Sequence, residues 1–142
     1  MYNNANREFI TMSEEVEYIS QYIALQTLRL NEFADVTFTT DIESPEVTIP
    51  PMLLITFIEN AFKYGISSNE PCFIHIFLKQ QGSNICFEVN NSIFERKANS
   101  SQHMGIENCR KRLSLLYPDR YNLKIEKGNT FHVKLELQSA NL

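Results

Sequence analysis

No stretch of the chain stays apolar for long enough to span a bilayer, and the first residues, Met1-Tyr2-Asn3-Asn4-Ala5-Asn6-Arg7, lack the apolar core of a signal peptide. The expectation is a cytoplasmic polypeptide. Cysteine is scarce: Cys72, Cys86 and Cys109 are odd in number, widely spaced and set among apolar residues. They imply no disulfide framework, and with no CxxC or HxxxH pair the usual zinc spacings are missing too. They read as small hydrophobes in a reducing compartment. Charge of one sign is not in great excess, the net value being −4, so nothing electrostatic points to nucleic acid or an anionic membrane. Only four glycines occur among 142 residues that are 43% hydrophobic, which describes one globular domain long enough to bury a real core.

What the chain does have is organised around Ile49-Pro50-Pro51-Met52-Leu53-Leu54-Ile55-Thr56-Phe57-Ile58-Glu59-Asn60-Ala61-Phe62-Lys63-Tyr64-Gly65. Prolines can open a helix, because the first turn has no N–H partners to lose, and Gly65 can close it in a left-handed conformation. Leu54, Phe57, Ile58, Ala61 and Phe62 make an apolar stripe at helical spacing, while Thr56, Asn60, Lys63 and Tyr64 gather on a neighbouring face and Glu59 borders both. A wet helix face is ordinarily Lys, Glu and Gln, and Asn disfavours helix. Either Asn60 is there for its chemistry, or Glu59 and Lys63 form a solvated pair and Asn60 is incidental.

Upstream, Thr11-Met12-Ser13-Glu14 fits a capping box and predicts a helix to about Glu32. Its apolar residues form two groups, Met12, Val16, Ile19, Ile23 and Leu30 on one side and Tyr18, Tyr22 and Leu25 on another. That belt fits a helix sunk in its own core, or one with a second contact beyond this chain. Val36 to Ile42 alternates as a strand, and Cys72 to Lys79 and Ile85 to Asn91 read as an antiparallel hairpin. In the second hairpin strand Ile85, Phe87 and Val89 share one face, which Asn91 continues, either as a strand cap or as a side chain entering a pocket. Ser92 to Met104 is polar and aperiodic, a mobile loop of functional length. Gly105-Ile106-Glu107-Asn108 then opens a helix that ends before Pro118, and free N–H groups at such a start suit phosphate. Two strands close the chain, Asn122 to Glu126 and Thr130 to Leu137.

The Glu59-Asn60-Ala61-Phe62-Lys63-Tyr64-Gly65 helix resembles the N box of the GHKL ATPases, specifically the LytS-type sensor histidine kinases. The segment from Gly105 to Tyr117 is similar to that family's G2 box and helix, the strand ending at Asn91 stands where the G1 box should, and Thr130 begins the last strand. The resemblance implies a Bergerat-type α/β two-layer sandwich, a mixed, mostly antiparallel sheet with helices on one face. It divides the chain into residues 1–35, a linker helix from a dimerisation and phosphoacceptor segment, and 36–142, the ATP-binding domain.

It further implies ATP and Mg2+ as cofactors, with Asn60 as the metal ligand, a hard cation taking an oxygen donor. Lys63 would approach phosphate, Tyr64 pack by the nucleotide, and Glu59 serve as general base or polarising group for the attacking histidine. Asn91 stands in for the adenine-reading aspartate, and Gly105, Ile106 and Asn108, with Thr130, complete the nucleotide contacts. Two family features are altered: Asn91-Ser92-Ile93 replaces Asp-x-Gly-x-Gly, and His103 replaces a glycine before Gly105. His103 is either a phosphate contact when protonated or a plain lid residue. The resemblance implies an acceptor histidine upstream, in a segment outside this chain, and His75 and His132 fall on outward strand rows, where an exposed structural role is the default. The implied partners are that upstream segment, a response regulator and a second copy in a full-length homodimer, with no nucleic acid. Membrane contact is expected only through an N-terminal region of an inner-membrane sensor. The alternatives are an anti-sigma-type serine kinase and a degenerate, non-catalytic interaction module.

Overall fold

The computed structural model describes residues 9–94 and 100–138, the side chains of 100–104 excepted. Thr11 caps α1 (Met12–Thr27) as its capping box requires: the Glu14 N–H donates to the Thr11 hydroxyl at 3.1 Å and the Thr11 N–H donates to the Glu14 carboxylate at 2.9 Å. The helix ends at Thr27, five residues short of the expected Glu32, with Leu28 in a turn. Immediately before it, β1 (Ile10–Thr11) pairs with β3 (Thr48–Ile49), a two-residue ribbon too short for any periodicity to announce.

The main sheet has five strands in the order β2-β4-β5-β7-β6, formed by β2 (Ala34–Ile42), β4 (Cys72–Gln81), β5 (Asn84–Ser92), β6 (Tyr121–Lys127) and β7 (Thr130–Gln138). Only β2 and β4 run parallel; the other neighbours are antiparallel. Position 35, the boundary that the resemblance implies, lies inside β2. Alternation sorts the two faces: Ile74, Ile76, Leu78, Ile85, Phe87, Val89, Val133 and Leu135 are buried beneath the helices, and the opposite face is exposed or half-buried. Met12 and Ile19 of α1 enter the same core as the sheet.

Two helices differ from expectation at their starts. The helix α2 (Ile55–Tyr64) begins five residues after Pro50. A residue before proline is pushed out of the helical region, Pro50 accordingly lies outside the helix, and Met52 is left-handed at φ 66, which delays the first regular turn. The helix α3 (Ser100–Leu116) begins five residues before Gly105. The first turn, Ser-Ser-Gln-His-Met, carries no apolar period in the sequence, whereas Ile106, Cys109 and Leu113 further along recur at helical spacing and are buried.

Candidate functional site

The polar face of α2 meets α3 across a cleft of about 180 Å³, lined by Thr56, Glu59, Asn60, Lys63 and Tyr64 on one side and Gly105 and Ile106 on the other. Thr56, one turn above Asn60, belongs to this lining; its hydroxyl donates to the Met52 carbonyl at 3.3 Å and also reaches the Cys109 thiol, which burial pushes up. The Lys63 ammonium lies 5.3 Å from the centroid of the buried Tyr64 ring, a cation–π contact that holds both at the cleft edge. Glu59 is exposed and faces two ways. Its charge raises the Tyr22 hydroxyl on α1, second to burial, while Tyr22 packs edge-on against Phe62.

Asn91 lies at the end of β5, 1% exposed, on the inward row. Its Nδ2 donates to the Ser92 carbonyl at 2.8 Å, while its Oδ1 is buried with no partner among the described residues. An orphaned buried acceptor is uncommon, and it leaves this oxygen free to accept a hydrogen bond. Gly65 brings this group against α2. It closes α2 as its C-cap, as expected, but its φ of −100 is not the left-handed conformation expected there. A Cβ there would stand 2.6 Å from the Ala61 carbonyl, 2.9 Å from that of Ser92 and 3.0 Å from Asn91 Nδ2. Glycine is required by close approach. The Ser92 hydroxyl fastens the junction, donating to the Gly65 carbonyl at 2.7 Å and accepting from the Phe73 N–H at 3.0 Å. Neither role of Ser92 or Gly65 leaves a periodic signal in the sequence.

Of the expected contacts, Glu59, Asn60, Lys63, Tyr64, Gly105 and Ile106 come together, whereas Asn91, Asn108 and Thr130 do not line the cleft. Asn108 is exposed on α3, and Thr130 sits opposite Ser92 on the row shared with His132. The amides of 105–108 fall inside α3, where they bond to carbonyls one turn back, so the helix start expected to receive phosphate lies upstream, at Ser100. The His103 side chain lies outside the described residues, as does much of the expected lid, 95–99. His75 pairs with Asp35 at 3.0 Å and His132 with Glu88 at 2.9 Å, both on the face opposite the helices. Among the described residues no cluster of three or more His, Cys, Asp or Glu could hold a metal, and no helix is long and apolar enough to cross a membrane. Magnesium needs no such cluster, since it keeps waters and phosphate oxygens and takes few protein ligands; Asn60, with Thr56 and Glu59 beside it, fits that demand.

No family model matches the chain. It is 28% identical over 134 residues to the sensor histidine kinase YesM of Bacillus subtilis (strain 168), covering 86% of this chain and 23% of YesM. It is 23% identical to the sensor protein kinase HptS of Staphylococcus aureus (strain USA300), covering 96% of this chain and 30% of HptS. Its homologues are sensor histidine kinases. The fold agrees: the catalytic domain of histidine kinase ThkA superposes with a TM-score of 0.59 at 14% identity, over 92% of this chain and 94% of that one. ThkA is also known in complex with the response regulator protein TrrA. The chain spans about a quarter of the sensor kinases it matches. The likeness to the ThkA catalytic domain shows the fold, a two-layer α/β sandwich with its helices on one face of a mixed sheet.

Proposed function

We propose that this chain is the catalytic domain of a LytS-type sensor histidine kinase, binding ATP with Mg2+ and passing the γ-phosphate to a histidine on a dimerisation segment joined to α1. The observation that carries it is the cleft where Asn60, Glu59 and Lys63 of α2 converge on α3. Bound magnesium and nucleotide supply the charge neutralisation and the transferable phosphoryl group. Asn60 offers a carbonyl oxygen to the metal, Lys63 a cation to phosphate, and Tyr64 a ring beside the nucleotide. Glu59 orients the incoming imidazole or takes its proton from a position that faces both the cleft and α1. Asn91 marks the base end: its orphaned Oδ1 accepts from the adenine amino group across the C-terminal end of α2. Thr130 and Asn108 are assigned outer contacts to the nucleotide.

In the whole protein the partners are a second copy, the phosphoacceptor segment and a response regulator, and the domain works on the cytoplasmic side of an inner-membrane sensor. Residues 1–35 act as the linker and 36–142 as the nucleotide domain. Alone, the chain binds nucleotide and transfers little. A non-catalytic interaction module is the second reading, favoured by one observation, that the amides of 105–108 are already spent within α3. Calorimetric titration with ATP and ADP, with and without magnesium, separates the two. Magnesium-dependent binding that Asn60→Ala loses, with its circular dichroism unchanged, is the expected result; no binding by the folded wild type supports the second reading.

A further inference from the structure

The helix that carries the cleft begins without a cap of its own. Leu54 is the N-cap of α2, no side chain of the helix caps it, and its first turn holds no acidic residue, so the positive end needs an acceptor from elsewhere. Glu15 of α1 supplies one: its carboxylate accepts from the Leu54 N–H. The side chain is 1% exposed, and Oε2 is buried with no partner among the described residues. From α3 the charged group facing it is Arg112, whose Nη2 donates to the Pro51 carbonyl at 3.1 Å. The lead-in from Pro50 to Leu54 holds no titratable side chain. On α1 itself the neighbouring Glu14 is turned back onto Thr11. Burial outweighs both the Leu54 N–H and Arg112 and pushes the Glu15 carboxyl up to about 7.

We infer that Glu15 is a positioning residue that couples α1 to the cleft: seated, it caps α2 from outside, and withdrawn, it frees the turn that carries Thr56 and leads into Glu59 and Asn60. This rests on the reading of the cleft as a nucleotide site. An apolar residue would pack α1 onto the same junction without an orphaned oxygen, so packing alone does not account for a carboxylate there. The coupling has a direction. An ionised carboxylate gains water when α1 lifts, so the joint loosens as pH rises through neutrality. Glutamine keeps the shape and the carbonyl for the Leu54 N–H but cannot ionise.

Amide hydrogen exchange over residues 52–59, corrected for intrinsic rates, tests the joint at pH 6 and pH 8. Wild-type protection is expected to fall about tenfold between them, while Glu15→Gln shows no change and the β4–β5 hairpin is unaffected in both. A fluorescent ATP analogue with magnesium tests the link to the cleft, with Glu15→Ala expected to bind it several-fold more weakly. Wild-type protection that ignores pH, or an equal pH response in Glu15→Gln, overturns the inference. So does unchanged analogue affinity in Glu15→Ala when its α2 protection has dropped. If the wild type binds no analogue at all, the ATP reading falls, and the exchange result alone decides the joint.

Discussion

Gly65 and Asn91 show how little room there is at the junction of α2 and β5. Gly65→Ala places a methyl group against two carbonyl oxygens, and one of them, on Ser92, belongs to a neighbouring strand that would have to move. The expected loss is about 1–3 kcal/mol, read as a lower midpoint in urea unfolding. On the proposed reading Asn91 meets the base and not the phosphates, so in Asn91→Ala ATP and ADP should weaken alike, by about tenfold for one hydrogen bond. A selective loss of ATP in the titration would place Asn91 at the phosphate end instead. The cysteines behave as the sequence implies: Cys72 and Cys109 are buried, and burial raises the Cys109 and Cys86 thiols. Alkylation of the native protein at pH 8 should therefore be slow and should label half-buried Cys86 first.

At the scale of elements, α1 was legible to the residue at its start, because a capping box is a local device: side chain and amide lie three positions apart. Thr11→Ala should cost about 1 kcal/mol of stability, measured by the same unfolding curve. The start of α2 was not legible. Its prolines satisfied the rule for a first helical turn, yet consecutive prolines also forbid the helical region before the second of them. The left-handed Met52 then consumes the remaining lead-in. The polar turn from Ser100 to Met104 was read as loop because its sequence, Ser-Ser-Gln-His-Met, carries no apolar period. Strand faces were legible throughout, since period two leaves no choice once one face is apolar, and Asn91 fell on the inward row as expected.

For the molecule as a whole, pH dependence of stability follows from Glu15. Its folded pKa, about 7, lies above the ordinary 4.5, so the folded state binds the extra proton. The stability it contributes is fully present below about 4.5, is lost as pH rises through about 7, and is level above that. The difference is on the order of 3 kcal/mol. Unfolding free energies of the wild type and Glu15→Gln, compared at pH 4 and pH 8, should diverge in that sense, with the variant relatively more stable at the higher pH.

By itself the sequence determined the kinds of element and their faces, from the hairpin to the Thr56, Asn60, Lys63 row of α2, and a resemblance carried by the same residues pointed to nucleotide. Those features are local or periodic, and physics acting over a few residues fixes them. Tertiary structure decided which distant groups meet. It set Gly65 against Ser92 and Asn91, left the Asn91 side-chain carbonyl without a partner among the described residues, and buried Glu15 of α1 at the start of α2. A glutamate in the first turns of a helix is unremarkable in sequence, because it is ordinarily solvated there. Only the packing of α1, the proline lead-in and α3 around it removes the water and gives that carboxylate its role.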